Sequence, residues 1–210
     1  GIIGTTSLLK YSFSDGVCDP AAVERDVEMI EDLAKRGAEI VTQLLTVSKR
    51  HDLMLGLVDL KQSVEQVLSI CRNTFDKSVE LNSHFCDEPA YVSADRAQIE
   101  QVILNLCVNA YHAMTTMRSA GEKLGGTLSV RIEKISEGSD FHSIHHEAEG
   151  EGFVSVTVTD TGVGMDSYVQ SRIFEPFFTT KETIRGTGLG LTMVQSIVQR
   201  HGLYLISDEV

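Results

Sequence analysis

The chain has 210 residues, of which 42% are hydrophobic, and a formal net charge of −12. This length and apolar content suffice for one large domain or two small ones with buried cores. So acidic a chain argues against nucleic acid or an anionic membrane surface as its main partner.

The four cysteines, Cys18, Cys71, Cys86 and Cys107, show no paired spacing, which favours a reducing cytosol over a disulfide framework. No apolar run is long enough to span a bilayer, and no signal peptide is visible. The chain lacks an initiator Met and ends abruptly at Val210. We therefore expect a cytoplasmic fragment of a longer protein, without direct membrane contact of its own.

The first 52 residues predict a helical hairpin. Residues 1–13 are typical of a helix end, the segment SDGVCDP of a turn, and residues 20–50 of a long helix with a heptad seam. The seam consists of Val23, Val27, Ile30, Ala34, Gly37, Val41, Leu44 and Ser48. A hairpin cannot bury such a stripe alone, so dimerisation into a four-helix bundle is expected. A single helix lying on the following domain stays an open alternative.

Residues 56–210, after a hinge at His51–Gly56, predict an α/β sandwich. LVDLKQSVEQVLSICRNTF predicts a short strand and a helix, SVELNSHF a strand, and IEQVILNLCVNAYHAM a helix that Asp95 and Gln98 begin as a capping box. TLSVRIEKI and FVSVTVTD predict two more strands, and LGLTMVQSIVQRHG a helix that ends at Gly202. This order favours one mixed sheet covered on a single face. The inward side of the first helix would carry Val64, Val67, Leu68 and Cys71.

A polar insert over residues 136–152 separates the last two strands. It holds His142, His145, His146, Glu147 and Glu149. Imidazole and carboxylate groups both ligate zinc, but the zincin pattern fails because Gly150 stands at the second histidine position. Gly-, Ser- and Glu-rich flanks favour a solvated hairpin loop over a metal site.

The segment from Asp160 to Leu191 is typical of a nucleotide site. Asp160 ends a strand and is followed by Gly162 and Gly164, so its carboxylate could accept a hydrogen bond from an adenine amine; a simple turn aspartate is the alternative. Gly186, Gly188 and Gly190 precede a helix, where backbone N–H groups approach phosphate closely. They form neither a P-loop nor a Rossmann fingerprint.

Further candidate residues lie on an earlier helix and in the loop before these glycines. Asn105 and Asn109 lie one helical turn apart and point the same way, so Asn109 could offer a neutral oxygen to Mg²⁺; one buried and one surface Asn is the alternative. The aromatic residues Phe174, Phe177 and Phe178 precede Thr179, Thr180, Lys181 and Arg185. The two cationic side chains could contact phosphate oxygens.

Four segments resemble motifs of one family. QVILNLCVNAYHAM is similar to the N box, DTGVGM to the first glycine box, FEPFFTTK to the F box and GTGLGL to the second glycine box of bacterial sensor histidine kinases. These enzymes belong to the superfamily of gyrase, heat-shock chaperone, histidine kinase and mismatch-repair ATPases. The resemblance keeps the family order and covers nearly all of the chain. It implies a Bergerat-type α/β sandwich preceded by part of a dimerisation and histidine-phosphotransfer hairpin, an α+β fold class.

The resemblance also implies roles for single residues. Asp160 would bind the adenine amine, Asn109 would hold Mg²⁺, and Asn105 would contact phosphate, while Phe174 to Arg185 would form the mobile ATP lid. The two residues expected to act on the transferred phosphoryl group are Asn105 and Lys181. The expected nucleotide-binding set is completed by Gly162, Gly164, Phe174, Thr180, Lys181, Arg185, Gly186, Thr187, Gly188, Leu189 and Gly190. The implied cofactors are ATP and Mg²⁺.

Position 105 distinguishes the branches of the superfamily. Hydrolytic members carry a general-base Glu one turn before the Mg²⁺-binding Asn, whereas this chain has Asn105, an amide without useful basicity. This favours a kinase over an ATP-gated clamp of the gyrase type. None of the seven histidines has the family's acceptor context; His51-Asp52 comes nearest, but Leu55 stands where Asn or Thr is expected.

These motifs predict a protein-histidine kinase core that passes the γ-phosphoryl of Mg·ATP to a histidine and then to an aspartate of a response regulator receiver domain. We expect the acceptor just upstream of Gly1, so the fragment should not phosphorylate itself, and a last strand beyond Val210. The predicted state is a homodimer through the hairpin, in a parent that an upstream sensor region could anchor to a membrane. Alternatives are a non-catalytic phosphotransfer adaptor with a degenerate ATP fold, an ATP-gated clamp, and a serine or threonine kinase.

Overall fold

The computed structural model describes residue 6 and residues 22–30, 53–119, 121–135, 152–180 and 187–206. The chain divides into two compact units, Gly1–Arg50 and His51–Val210. In the first unit, residues 22–30 are helical, as the heptad pattern predicts. The remainder of the predicted hairpin lies outside the described residues, as does the histidine-rich insert up to residue 151. Within the described ranges, no helix combines the length and the hydropathy needed to cross a membrane.

The second unit alternates strands and helices along the chain. Its described elements are β1 (Gly56–Asp59), α1 (Leu60–Thr74), β2 (Val79–Phe85), β3 (Tyr91–Ala94), α2 (Arg96–Met114), β4 (Gly126–Ile135), β5 (Phe153–Asp160), α3 (Ser167–Arg172) and α4 (Gly190–Arg200). The predicted strands and long helices are all present. Two short elements, β3 and α3, were not predicted, because four and six residues are too few to show a clear periodicity.

Local polar contacts set the helix ends. The Asp59 carboxylate accepts hydrogen bonds from the backbone N–H groups of Lys61 and Gln62, at 3.0 and 3.4 Å, and so begins α1. Gly202 has φ of 64°, and the Leu203 N–H donates to the Val198 carbonyl at 2.9 Å. This is the Schellman arrangement that ends α4, as the sequence predicts.

The start of α2 differs in one detail from the predicted capping box. Asp95 caps the helix by accepting from the N–H groups of Ala97 and Gln98, at 3.1 and 3.3 Å. The Gln98 side-chain amide, however, donates to the Asp95 carboxylate at 3.1 Å instead of binding the Asp95 backbone. The Asp95 backbone N–H donates to Nε2 of His201 at 3.1 Å, because the end of α4 lies beside the start of α2.

The sheet is mixed, as predicted, and the described residues contribute three strands to it. β2 and β4 run parallel, and β4 and β5 run antiparallel with Leu128 opposite Asp160. β1 pairs instead with β3 in a separate antiparallel ribbon, so the expectation of one sheet is wrong for β1. The unpredicted strand Tyr91–Ala94 supplies the partner that β1 needs for its backbone groups.

The hydrophobic core lies between the helices and one face of the mixed sheet. On β4, Leu128, Val130 and Ile132 are buried, whereas Arg131 and Glu133 on the other face are exposed. The helices contribute the following buried side chains: Val64, Val67, Leu68, Cys71, Ile99, Ile103, Cys107, Ala110 and Met114. The four residues predicted to face inward from α1 are confirmed. Both elements that carry the candidate site pack against this core, α2 through buried side chains and β5 through the partly buried Val154, Val156 and Val158.

Candidate functional site

Asp160 is the last residue of β5, and its carboxylate is held by the turn that follows. Oδ1 of Asp160 accepts a hydrogen bond from the Gly162 backbone N–H at 2.8 Å. Among the described residues, Oδ2 accepts no hydrogen bond, and the residue is exposed. Asp160 is thus both a turn aspartate and a carboxylate with one oxygen available to a donor on a ligand.

The turn after Asp160 packs tightly on the C-terminal half of α2. The Val163 N–H donates to the Ala113 carbonyl at 3.2 Å. A Cβ atom added to Gly162 would lie 2.6 Å from Cβ of Ala113, so this position requires glycine. Gly164 lies in the left-handed region with φ of 69°. The glycines of the predicted first box therefore serve close packing and chain reversal.

A stripe on α2 joins this turn to α4. Residues 105, 109 and 113 lie on one face, because they are spaced four apart. Oδ1 of Asn105 accepts from the Gln101 side-chain amide at 3.3 Å, and Nδ2 of Asn105 lies 3.8 Å from Sδ of Met193 in α4. The Asn109 side-chain nitrogen lies 3.9 Å from the position that a Cβ atom on Gly190 would occupy. Both asparagines thus lie on the face of α2 that packs against α4, with Asn109 nearer the start of that helix.

The start of α4 lies within the second glycine box. Leu189 is the N-cap residue, and among the described residues no side chain caps the helix. The Leu189 N–H donates to the Thr187 hydroxyl at 3.4 Å. The first N–H groups of a helix without a side-chain cap can bind an anion, and the helix dipole favours one. Thr187, Gly188, Leu189 and Gly190 lie at or directly before this helix start.

Two hydrogen bonds tie the aromatic segment to this helix start. The Phe177 N–H donates to the Gly188 carbonyl at 3.0 Å, and the Thr192 hydroxyl donates to the Phe174 carbonyl at 3.2 Å. Phe177 has φ of 65°, and a Cβ atom on Gly188 would lie 2.4 Å from the Phe177 carbonyl carbon. A left-handed conformation is strained for a non-glycine residue, and it persists here under these contacts.

Three of the predicted site residues, Lys181, Arg185 and Gly186, lie outside the described residues. Thr180, just before them, is exposed. In the described part of the chain, no cluster of His, Cys, Asp or Glu could hold a metal ion by itself. A divalent cation here would need ligand oxygens from a bound phosphate chain, with the Asn109 amide oxygen as the protein's contribution.

Two arginines that the sequence reasoning missed support this region. Nε and Nη2 of Arg172 donate to Oε2 of Glu175 at 2.8 and 2.7 Å, and the guanidinium carbon lies 4.5 Å from the Phe178 ring centroid. The hydrogen bonds from Arg172 hold the pKa of the Glu175 carboxyl below its ordinary value. Nη2 of Arg118 donates to the Thr161 carbonyl at 2.7 Å. The spacing of three residues between Arg172 and Glu175 is a weak sequence signal for their contact. No sequence spacing indicates the contact between Arg118 and Thr161.

A family model for histidine kinase-, DNA gyrase B- and HSP90-like ATPases matches residues 94–209. The chain belongs to this ATPase family. The match spans α2, Asp160, both glycine boxes and α4, so the predicted Bergerat-type sandwich and the resemblance to sensor histidine kinase catalytic cores are confirmed. The candidate site, between the end of β5, α2 and the start of α4, lies within the matched residues.

Similar proteins agree with this assignment. The chain is 36% identical over 184 residues to the sensor kinase CckA of Brucella abortus (strain 2308), which covers 87% of this chain and 18% of that protein. It is 32% identical over 198 residues to the sensor histidine kinase ZraS of Klebsiella oxytoca, covering 93% and 37%, respectively. The chain therefore spans well under half the length of these relatives.

A solved structure supports the fold. The histidine kinase ThkA, in its complex with the response regulator protein TrrA, matches with a TM-score of 0.64 at 22% identity, covering 96% of this chain and 52% of that chain. At this identity the similarity concerns the fold alone.

Proposed function

We propose that this chain is the catalytic core of a sensor histidine kinase. In this proposal it directs the γ-phosphoryl group of Mg·ATP to a histidine of a helical-hairpin domain, from which an aspartate of a response regulator receiver domain takes it. The observation that carries the proposal is Asn105, which lies beside Met193 of α4, one turn before Asn109. An amide cannot take a proton from water, so this position supplies no general base for hydrolysis.

The adenine end of the proposed site is the Asp160 carboxylate. One of its oxygens is fixed by Gly162, and the other is available, so the carboxylate can accept one hydrogen bond in a defined direction. Adenine has an exocyclic amine that can donate this bond, whereas guanine presents a carbonyl at the same position. The residues present therefore fit an adenine nucleotide.

The phosphate end of the proposed site is the start of α4. Gly188 and Gly190 let the backbone approach a ligand without side-chain obstruction, and no side chain in the described part of the chain caps the first N–H groups of the helix. Asn109 beside Gly190 would hold Mg²⁺ through its amide oxygen. Bound Mg·ATP supplies an activated phosphoryl group, while the chain's residues orient it and neutralise its charge. Lys181 and Arg185 remain proposed phosphate contacts.

The proposed assembly is a homodimer formed by the first unit, acting in the cytoplasm on a receiver domain. It is supported by the stripe of Val23, Val27 and Ile30 in the described helix, where Val27 is 50% exposed within one chain. An apolar stripe of this spacing favours a partner helix. The relatives named as sensor kinases support the two-component context.

The proposal is tested by binding and by transfer. Calorimetric titration with a non-hydrolysable Mg·ATP analogue should show binding that Asp160→Asn and Asn109→Ala each weaken by about tenfold or more, since each removes a polar contact worth at least about 1.4 kcal/mol. Arg131→Ala, an exposed change on β4, is the matched control and should bind like the wild type.

Transfer is then measured with γ-labelled ATP and a supplied hairpin domain that carries an acceptor histidine. We expect acid-labile, alkali-stable label on the hairpin. Label that appears only as inorganic phosphate, at a rate that Asn105→Ala abolishes, would contradict a kinase and favour a hydrolytic clamp. Absence of nucleotide binding by the wild-type chain would favour a non-catalytic adaptor.

A further inference from the structure

Arg118 lies beyond the end of α2 and reaches across to the turn that follows β5. Its Nη2 donates a hydrogen bond of 2.7 Å to the carbonyl oxygen of Thr161, which is 43 residues away in sequence. Nε of the same guanidinium is buried without a hydrogen-bond partner among the described residues. Because the guanidinium is charged, its bond to the Thr161 carbonyl is charge-assisted.

The peptide group that Arg118 binds also binds Asp160. The Thr161 carbonyl and the Gly162 N–H belong to one peptide unit, and that N–H donates to Oδ1 of Asp160 at 2.8 Å. The chain contains no cis peptide bond in its described part, so the carbonyl and the N–H point in opposite directions. Arg118 and Asp160 therefore hold opposite ends of one rigid plane.

The neighbouring contacts do not fix this plane. Thr127 bonds to the N–H and the hydroxyl of Thr161, at 3.2 and 3.0 Å, which fixes the residue but not the peptide that follows it. The Val163 N–H, bound to Ala113, fixes the next peptide. Between them stands Gly162, whose backbone has more rotational freedom than any other residue type. The orientation of the Thr161–Gly162 peptide thus depends on its two polar ends.

We propose that Arg118 is a positioning residue for base recognition. Its guanidinium fixes the Thr161–Gly162 peptide, which in turn fixes the Asp160 carboxylate in the direction that accepts a hydrogen bond from a 6-amino purine. Polarisation of the peptide by Arg118 also strengthens the N–H donation to Asp160. The inference rests on the proposed function, because it assigns selectivity within the same nucleotide site.

The test compares two ligands that differ in one amine. The dissociation constants of Mg·ATP and of Mg·purine riboside 5′-triphosphate, which lacks the 6-amino group, are measured by calorimetry on the whole 210-residue chain. The wild type should prefer ATP by about tenfold, the worth of a hydrogen bond to a carboxylate. Arg118→Met should reduce this preference to about threefold or less, while its affinity for the amine-free ligand stays close to that of the wild type.

Two further variants sharpen the result. Arg118→Lys keeps the charge without the planar donor fork and should give an intermediate preference. Arg131→Met removes an exposed arginine on β4 and should keep the wild-type preference. Unchanged preference in Arg118→Met, or equal loss of affinity for both ligands, would overturn the inference, since a merely structural role weakens both. If Arg118→Met does not fold, the same ratio measured on Arg118→Lys decides.

The outcomes also separate this inference from the proposed function. A wild-type chain that binds neither triphosphate overturns the proposed function and, with it, the role of Arg118. A wild-type chain that prefers ATP, together with an Arg118→Met variant that prefers it equally, leaves the proposed function intact and overturns the role of Arg118 alone.

Discussion

Ser63 is a polar residue in the core of the ATPase domain. It lies in α1, its side chain is fully buried, and its hydroxyl has no hydrogen-bond partner in the described part of the chain. A buried hydroxyl without a partner loses its hydration without compensation. We expect Ser63→Ala to raise the free energy of unfolding by about 1 kcal/mol, measured by urea denaturation.

The same helix provides the control for this prediction. Ser69 is exposed on α1, so Ser69→Ala should gain only the difference in helix propensity, about 0.5 kcal/mol or less. A gain in Ser63→Ala no larger than that in Ser69→Ala would show that the buried hydroxyl finds a partner in solution. A loss of stability would show that it supports the packing of α1.

At the scale of elements, α2 and α4 form an antiparallel pair held at both ends. Asp95 before α2 contacts His201 after α4, Asn105 contacts Met193 in the middle, and Asn109 lies near Gly190 at the start of α4. The contact between Asn109 and the start of α4, at the candidate site, thus lies at the opposite end of the helix pair from the His201 contact. The packing of this pair places Asn109 near the start of α4 and Asn105 beside Met193.

We expect His201→Ala to lower the free energy of unfolding by about 1 kcal/mol. Nδ1 of His201 lies 2.9 Å from the Ile197 carbonyl, which can only accept, so Nδ1 carries the proton and Nε2 accepts from the Asp95 N–H. The variant leaves that partly buried N–H without its partner. The denaturation midpoint in urea measures the loss, with the slope unchanged.

His84→Ala is the matched control, because His84 is an exposed histidine on β2. It should leave the midpoint near that of the wild type. Equal midpoints for His201→Ala and the wild type would mean that water replaces the imidazole at the Asp95 N–H, and that packing alone holds the helix pair.

Most of these elements could be predicted from the sequence, because periodicity and caps are local signals. The alternation in Phe153–Asp160 and the caps at Asp59 and Asp95 each lie within a few residues of the structure that they determine. β3 was missed because it is four residues long, and its pairing with β1 depends on a partner more than thirty residues away. The Gln98 side chain does not accept from the Asp95 backbone N–H, because His201 accepts that hydrogen bond instead.

The part of the candidate site that was predicted from the sequence is the part that lies in local motifs. Asp160, Asn105, Asn109 and the glycines belong to motifs whose chemistry can be recognised in the sequence. The contact between Arg118 and Thr161 joins a loop to a turn across 43 residues, and no spacing rule indicates it. A supporting residue of this kind becomes visible only when the fold brings distant segments together.

At the scale of the whole molecule, nucleotide binding and dimerisation belong to different units of the proposed kinase. Every described residue of the candidate site lies in His51–Val210, whereas the heptad stripe lies in Gly1–Arg50. A dimer built by the first unit should therefore be separable from nucleotide binding by the second. A substitution in the stripe of the first unit should therefore change dimerisation and leave nucleotide affinity unchanged.

We expect Val27→Glu to weaken the dimer by at least about tenfold without changing the affinity for Mg·ATP. Val27 lies within the apolar stripe and is half exposed in a single chain, so a dimer would bring two glutamates into an apolar seam, where unpaired charges are strongly disfavoured. Sedimentation equilibrium over a range of concentrations measures the monomer–dimer constant, and calorimetry measures the nucleotide affinity.

Glu28→Gln is the control, because Glu28 is exposed next to Val27 and lies outside the stripe. It should keep the dimer, since it changes the surface charge without altering the seam. A wild-type chain that stays monomeric at all concentrations would contradict the dimer. It would favour the alternative in which this helix lies as a single helix on the ATPase domain. A Val27→Glu variant that loses nucleotide affinity together with dimerisation would show that the two units act as one, because the site in the second unit would then depend on the association of the first.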